Sequence, residues 1–116
     1  MRGTVLVVDD EPAMRAALRR LLKHSGYRVR EAADGVEALE VWREHQLEIA
    51  VVITDMMMPR MSGPELSARL RAERPDVRVV LMTAHDDVAL RPGHVLQKPF
   101  SADQLERVVE RALAEP

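Results

Sequence analysis

Cysteine is absent from the 116 residues, and with it any disulfide framework or thiolate metal site. A surplus of either charge is missing too: 17 basic residues stand against 19 acidic ones, for a net charge of -2. That balance gives no electrostatic hold on nucleic acid or an anionic membrane, so partners must be found by shape and local chemistry. No apolar run approaches the length that spans a bilayer, and Met1-Arg2-Gly3 leads straight into a strand-like segment without a signal-peptide layout. The expectation is a cytoplasmic protein. Repeats, low-complexity stretches and linkers are also lacking, and the length suits a single domain over residues 1–116. Lysine is scarce, with Lys23 and Lys98 set against fifteen arginines. A lysine at a special position is therefore not explained by general composition.

What the chain does contain is a run from Ile49 to Ile53, rich in β-branched residues, that passes through Thr54 into Asp55 and is closed by Pro59. Such a run reads as a strand buried on both faces, as in a parallel sheet. Four other short apolar runs alternate with helical patterns. Thr4–Val8 stops at Asp9-Asp10, and Pro12 suits a first helical turn because its missing N–H would go unused there. Met14, Leu18, Leu21 and Leu22 then share a helix face, and Gly26 ends it. Tyr27–Glu31 reads as a strand of alternating character, and Asp34-Gly35 leads into Val36, Leu39 and Trp42 at a helical spacing. Ser62-Gly-Pro-Glu65 has the form of a capping box opening a helix over Gly63–Glu73. Val77–Met82 is strand-like and ends in Thr83. The run His94–Gln97 ends in Lys98-Pro99, and Ser101-Ala-Asp-Gln104 opens a last helix with Leu105, Val108, Val109, Ala112 and Leu113 on one face.

Five alternations of strand and helix call for a parallel sheet with helices on both faces. Asp9, Asp10, Asp55, Thr83 and Lys98 then collect at the carboxyl edge, where open α/β sheets bind ligands. Three carboxylates brought close together repel one another unless a cation joins them. A hard divalent ion, magnesium above all, suits such an oxygen-rich cluster. Once partly neutralised, one carboxylate can act as a nucleophile toward a phosphoryl group, with a lysine and a hydroxyl serving the phosphoryl oxygens.

These residues, in this order, resemble the receiver domain of two-component response regulators. Val7–Pro12 resembles the family's first strand and acidic pair, Thr54–Pro59 its phosphoacceptor segment, Ser62–Leu66 the helix start that follows, Leu81–Ala84 its hydroxyl position and Lys98–Phe100 its lysine turn. The resemblance implies a doubly wound, flavodoxin-like α/β fold with strand order 2-1-3-4-5. It implies Asp55 as the phosphoacceptor, Asp10 as a direct Mg2+ ligand, Asp9 as a largely water-mediated helper and the Met57 backbone carbonyl as a further ligand. Thr83 and Lys98 would each hold a phosphoryl oxygen, and a cis Lys98-Pro99 peptide bond is expected. The implied partners are a sensor histidine kinase or phosphotransfer protein and a downstream effector that the sequence does not name.

Plainer readings stand beside these. An aspartate after a strand is commonly a cap or turn former, Met56-Met57-Met58 suits loop and packing better than a soft-metal site, and Arg15, Arg19 and Arg20 suit a solvated helix face. A metal-dependent phosphatase that passes through a phosphoaspartate would carry a second acid two residues after the nucleophile, where this chain has Met57. A pseudo-receiver, binding partners without phosphorylation, would not need all five site residues. Two departures from the family concern output. Only fourteen residues separate Thr83 from Lys98, which predicts a shortened helix, the fourth in chain order, between the last two strands. Val95 also stands where the family usually carries a tyrosine or phenylalanine.

Overall fold

The computed structural model describes residues 2–84 and 94–114. Its elements run β1 (Thr4–Val8), α1 (Pro12–His24), β2 (Arg28–Ala32), α2 (Gly35–His45), β3 (Ile49–Asp55), α3 (Gly63–Glu73), β4 (Val79–Thr83), β5 (His94–Gln97) and α4 (Ala102–Ala114), the fourth of the described helices. The strands form one sheet in the order β2-β1-β3-β4-β5, and every neighbouring pair is parallel. The shortened crossover helix expected between Thr83 and His94 lies outside the described residues.

Alternation along each strand divides the core into two layers. Val5 and Val7 of β1 and Val51 and Ile53 of β3 face Leu18 and Leu22 of α1 and Leu105, Val108 and Val109 of α4. Leu6, Val8 and Val52 point the other way, onto Ala38, Leu39 and Trp42 of α2 and Leu66 and Leu70 of α3. A strand clothed on both faces has no polar side, which is why β1 and β3 read as nearly continuous apolar runs.

Two strands begin later than the sequence pattern suggests. Tyr27 belongs to the end of α1: its amide donates to the Leu22 carbonyl at 3.0 Å and that of Gly26 to Lys23 at 3.0 Å, while Gly26 takes φ of +96°. This is a Schellman closure, whose left-handed residue is nearly always glycine. β2 therefore starts at Arg28. Likewise, the Val77 amide donates to the Arg74 carbonyl at 3.0 Å, so Val77 and Arg78 close the turn after α3 before β4 begins. The capping expectations hold. Ser62 and Glu65 exchange hydrogen bonds at the start of α3, and Ser101 and Gln104 do the same before α4.

Candidate functional site

The ends of β1, β3 and β4 and the turn after β5 bring polar groups to the carboxyl edge: Asp9 and Asp10, Asp55, Thr83 and Lys98. Asp9 follows the last residue of β1 and is fully buried, with 0% exposure. Its backbone amide continues the sheet by donating to the Ala32 carbonyl at 3.2 Å, and its Oδ1 accepts the Glu11 amide at 2.9 Å. Asp10, the next residue, is exposed. Asp55 ends β3 and is half-buried; one oxygen of each of these three carboxylates lies within 4.8 Å of the others.

Lys98 reaches into this cluster from the other side. Its Nζ stands 3.5 Å from Asp9 Oδ2 and 3.3 Å from Asp55 Oδ1. The lysine is placed by its backbone, whose amide donates to the Thr83 carbonyl at 2.7 Å, and the Lys98-Pro99 bond is cis. Thr83 is buried at the last position of β4, one step along from Met82, the register partner of Asp55. Asp55 Oδ1 also accepts the Met56 amide at 2.9 Å, so both of its hydrogen bonds fall on one oxygen. The second oxygen carries no such bond among the described residues.

Burial raises the Asp9 carboxyl above the ordinary aspartate range, and the nearby Asp55 charge adds to the effect. The Glu11 amide and the Lys98 ammonium oppose it. A buried carboxylate facing two others, with a single ammonium between them, is an oxygen donor set short of positive charge. That is the physical signature a hard divalent cation fits. Asp10, with its carboxylate exposed, and Asp55 are the members open to an ion from solvent.

Met57 is 72% exposed in the loop directly after β3, while Met56 is buried. The Met58 sulfur lies against the Thr54 hydroxyl at 3.9 Å. The reading of this run as loop and packing thus holds: Met56 and Met58 pack, and Met57 lies in the exposed loop. The loop then turns through Arg60 at φ +69°, which pairs with Asp34 at the start of α2. It closes where the Gly63 amide donates to the Met56 carbonyl at 2.9 Å. A side chain at position 63 would place its Cβ 2.4 Å from the Asp55 carbonyl oxygen, so glycine lets α3 start directly behind the site. The broad surface cleft lined by Thr4, Tyr27, Arg28 and Glu48 lies at the opposite, amino-terminal edge and has no part in this chemistry.

Residues 5–110 match the family model described as the response regulator receiver domain. This chain belongs to that family. Among similar proteins, the sensor kinase CckA of Brucella abortus is 40% identical over 118 residues, covering 96% of this chain and 12% of that protein. Response regulator MprA of a Mycobacterium strain is 39% identical over 108 residues, covering 87% of this chain and 46% of that protein. The chain therefore spans less than half the length of these relatives. Among solved structures, the response regulator TrrA of Thermotoga maritima in complex with Mg2+ and BeF superposes with a TM-score of 0.87 at 31% identity, covering 96% of this chain and 99% of that one. The receiver domain of the hybrid histidine kinase CckA does so with a TM-score of 0.84 at 34% identity, with coverage of 96% and 99%. Receiver domains generally bind Mg2+ at an acidic site, and here Asp9, Asp10 and Asp55 form an acidic cluster. Among the described residues no helix is long and apolar enough to cross a membrane.

The sequence reading overlooked one residue near this receiver site. Arg15 is not part of a solvated face: it is half-buried, and its Nη1 donates to the Asp9 carbonyl at 2.7 Å. Arg20 is exposed as expected. The available signal was spacing, since Arg15 lies one helical turn beyond Glu11, at the mouth of the acidic loop.

Proposed function

We propose that this receiver takes a phosphoryl group from the phosphohistidine of a sensor histidine kinase or phosphotransfer protein onto Asp55, within a two-component phosphorelay. A carboxylate oxygen of Asp55 forms the new bond to phosphorus, the phosphorus–nitrogen bond of the donor breaks, and its electron pair returns to the imidazole. Water later attacks phosphorus, releasing phosphate and restoring the carboxylate. The observation that carries this reading is the joint placement of three carboxylates and Lys98 at one sheet edge.

Each side chain has a task. The Met56 amide and Lys98 hold one Asp55 oxygen and leave the other for attack. Lys98 turns from Asp55 toward a phosphoryl oxygen as charge moves outward, and the Thr83 hydroxyl donates to another. Asp10, Asp55 and the Met57 carbonyl, with Asp9 in support, would hold Mg2+, whose positive charge would offset carboxylates and phosphoryl oxygens together. In this reading residues 1–116 act as one cytoplasmic receiver unit whose conformational response passes to a downstream effector. The pseudo-receiver alternative is the weaker one because it leaves the assembled cluster without a use.

Incubation with Mg2+ and acetyl phosphate, followed by intact-mass measurement, tests the chemistry without the cognate kinase. One added phosphoryl group is expected on the parent and none on Asp55→Asn, which keeps the shape and removes the nucleophilic charge. Equal labelling of both would contradict the assignment.

A further inference from the structure

Asp10 is the member of the acidic cluster with nothing to hold its side chain: it is exposed, and no described residue hydrogen-bonds or pairs with its carboxylate. Its direction is set by the backbone that carries it. The peptide between Asp9 and Asp10 is fixed on the Asp9 side by the bond from Asp9 N to the Ala32 carbonyl. Its own carbonyl accepts from Arg15 Nη1 at 2.7 Å. Asp9 ψ and Asp10 φ rotate about the two ends of that peptide, so the arginine fixes the plane from which the Asp10 side chain departs.

Arg15 is itself held in place. Its Nε lies 3.6 Å from Glu31 Oε1 on β2, and the other Glu31 oxygen is taken by Arg19 Nη1 at 2.6 Å. Arg19 neutralises Glu31 and orients it. Glu31 in turn orients the Arg15 guanidinium, whose rigid fork leaves Nη1 aimed at the Asp9 carbonyl. The Arg15 side chain is only 19% exposed, so this contact is sheltered from water.

We infer that Arg15 is a positioning residue for the divalent-cation site, acting through the Asp9 carbonyl and braced by Glu31 from β2. The inference rests on the function proposed above and deepens it. Charge alone would give the opposite sign: removing a cation beside three carboxylates strengthens attraction for Mg2+. A loss of affinity on removing Arg15 therefore reports position and not charge.

The test is thermal denaturation of the full chain across a Mg2+ titration for the parent, Arg15→Met and Arg15→Lys. Methionine keeps an apolar stem for packing and removes every donor; lysine restores a cationic donor without the fork. Arg15→Met is expected to raise the Mg2+ concentration for half-maximal stabilisation by about tenfold, the lower end of what losing a partner of a metal ligand costs. Arg15→Lys is expected to recover most of that loss. Phosphorylation by acetyl phosphate will be slow in Arg15→Met at low Mg2+ and return toward the parent rate at high Mg2+. A merely structural tether would lower the melting temperature equally with and without Mg2+ and leave the half-saturation point unchanged, which would overturn the inference. So would a lysine variant no better than the methionine one. A parent chain that does not respond to Mg2+ would instead overturn the site assignment itself.

Discussion

A single carboxylate after a strand is ambiguous, and what resolves Asp9, Asp10 and Asp55 is that the ends of β1 and β3 converge. Their oxygens approach within 4.8 Å at the cost of mutual repulsion, while the Asp9 carboxyl is raised chiefly by burial, with the Asp55 charge adding to it. Asp10→Ala is accordingly expected to be at least as stable as the parent without Mg2+ and to gain far less from the ion. Melts with and without Mg2+ check both halves, and equal gain from the ion would remove Asp10 from the ligand set. These residues were legible in the sequence because each ends an apolar run. Arg15 was not, because its role lies in a side-chain bond to a backbone carbonyl, which leaves no mark on composition or periodicity. An arginine among arginines on a helix looks like solvation until its partner is placed.

Helix ends hold the loops that carry the site. Asp34 caps α2 by accepting the Glu37 amide at 2.9 Å. That bond, followed by Arg60, holds its carboxyl below the ordinary value of 3.8. A carboxyl lowered in the folded state contributes stability that is complete above its unfolded value and is lost as pH falls through the lower folded one. Asp34→Ala is expected to cost about 1 kcal/mol at neutral pH, with the difference from the parent shrinking as the medium is acidified below 3.8. Denaturant unfolding at a series of pH values measures it; a constant difference would show that the cap acts other than through its charge. At Gly63 the neighbour is rigid backbone, so Gly63→Ala is expected to destabilise by about 1–3 kcal/mol and to slow phosphorylation by displacing Asp55. Unchanged stability and rate would show that α3 can retreat freely. The capping boxes and the existence of every described element were readable from local pattern. The starts of β2 and β4 were not, since Tyr27 and Val77 have strand-like side chains but spend their amides on closing α1 and the turn after α3.

The two-layered sheet was readable at the scale of the whole molecule because strands buried on both faces leave few ways to place helices between them. Its strand order followed from family resemblance and is the one observed. Output is where this chain is expected to depart from its family. Fourteen residues between Thr83 and Lys98 leave little for a crossover helix, and half-buried Val95 lacks a ring to report the phosphoryl group. No beryllium fluoride-dependent dimer through the fourth-helix surface is therefore expected in sedimentation, and a mimic-dependent dimer whose contacts map to residues 86–97 and 101–113 would contradict this. The central claim is that phosphorus becomes bonded to one particular carboxylate. An acyl phosphate, unlike a free carboxylate, is reduced by borohydride to an alcohol, which turns the phosphorylated aspartate into homoserine. After treatment with Mg2+ and acetyl phosphate, then borohydride, peptide sequencing by mass spectrometry is expected to find homoserine at position 55 and intact aspartate at positions 9 and 10. Homoserine at either of those positions, or at none of the three, would contradict the account.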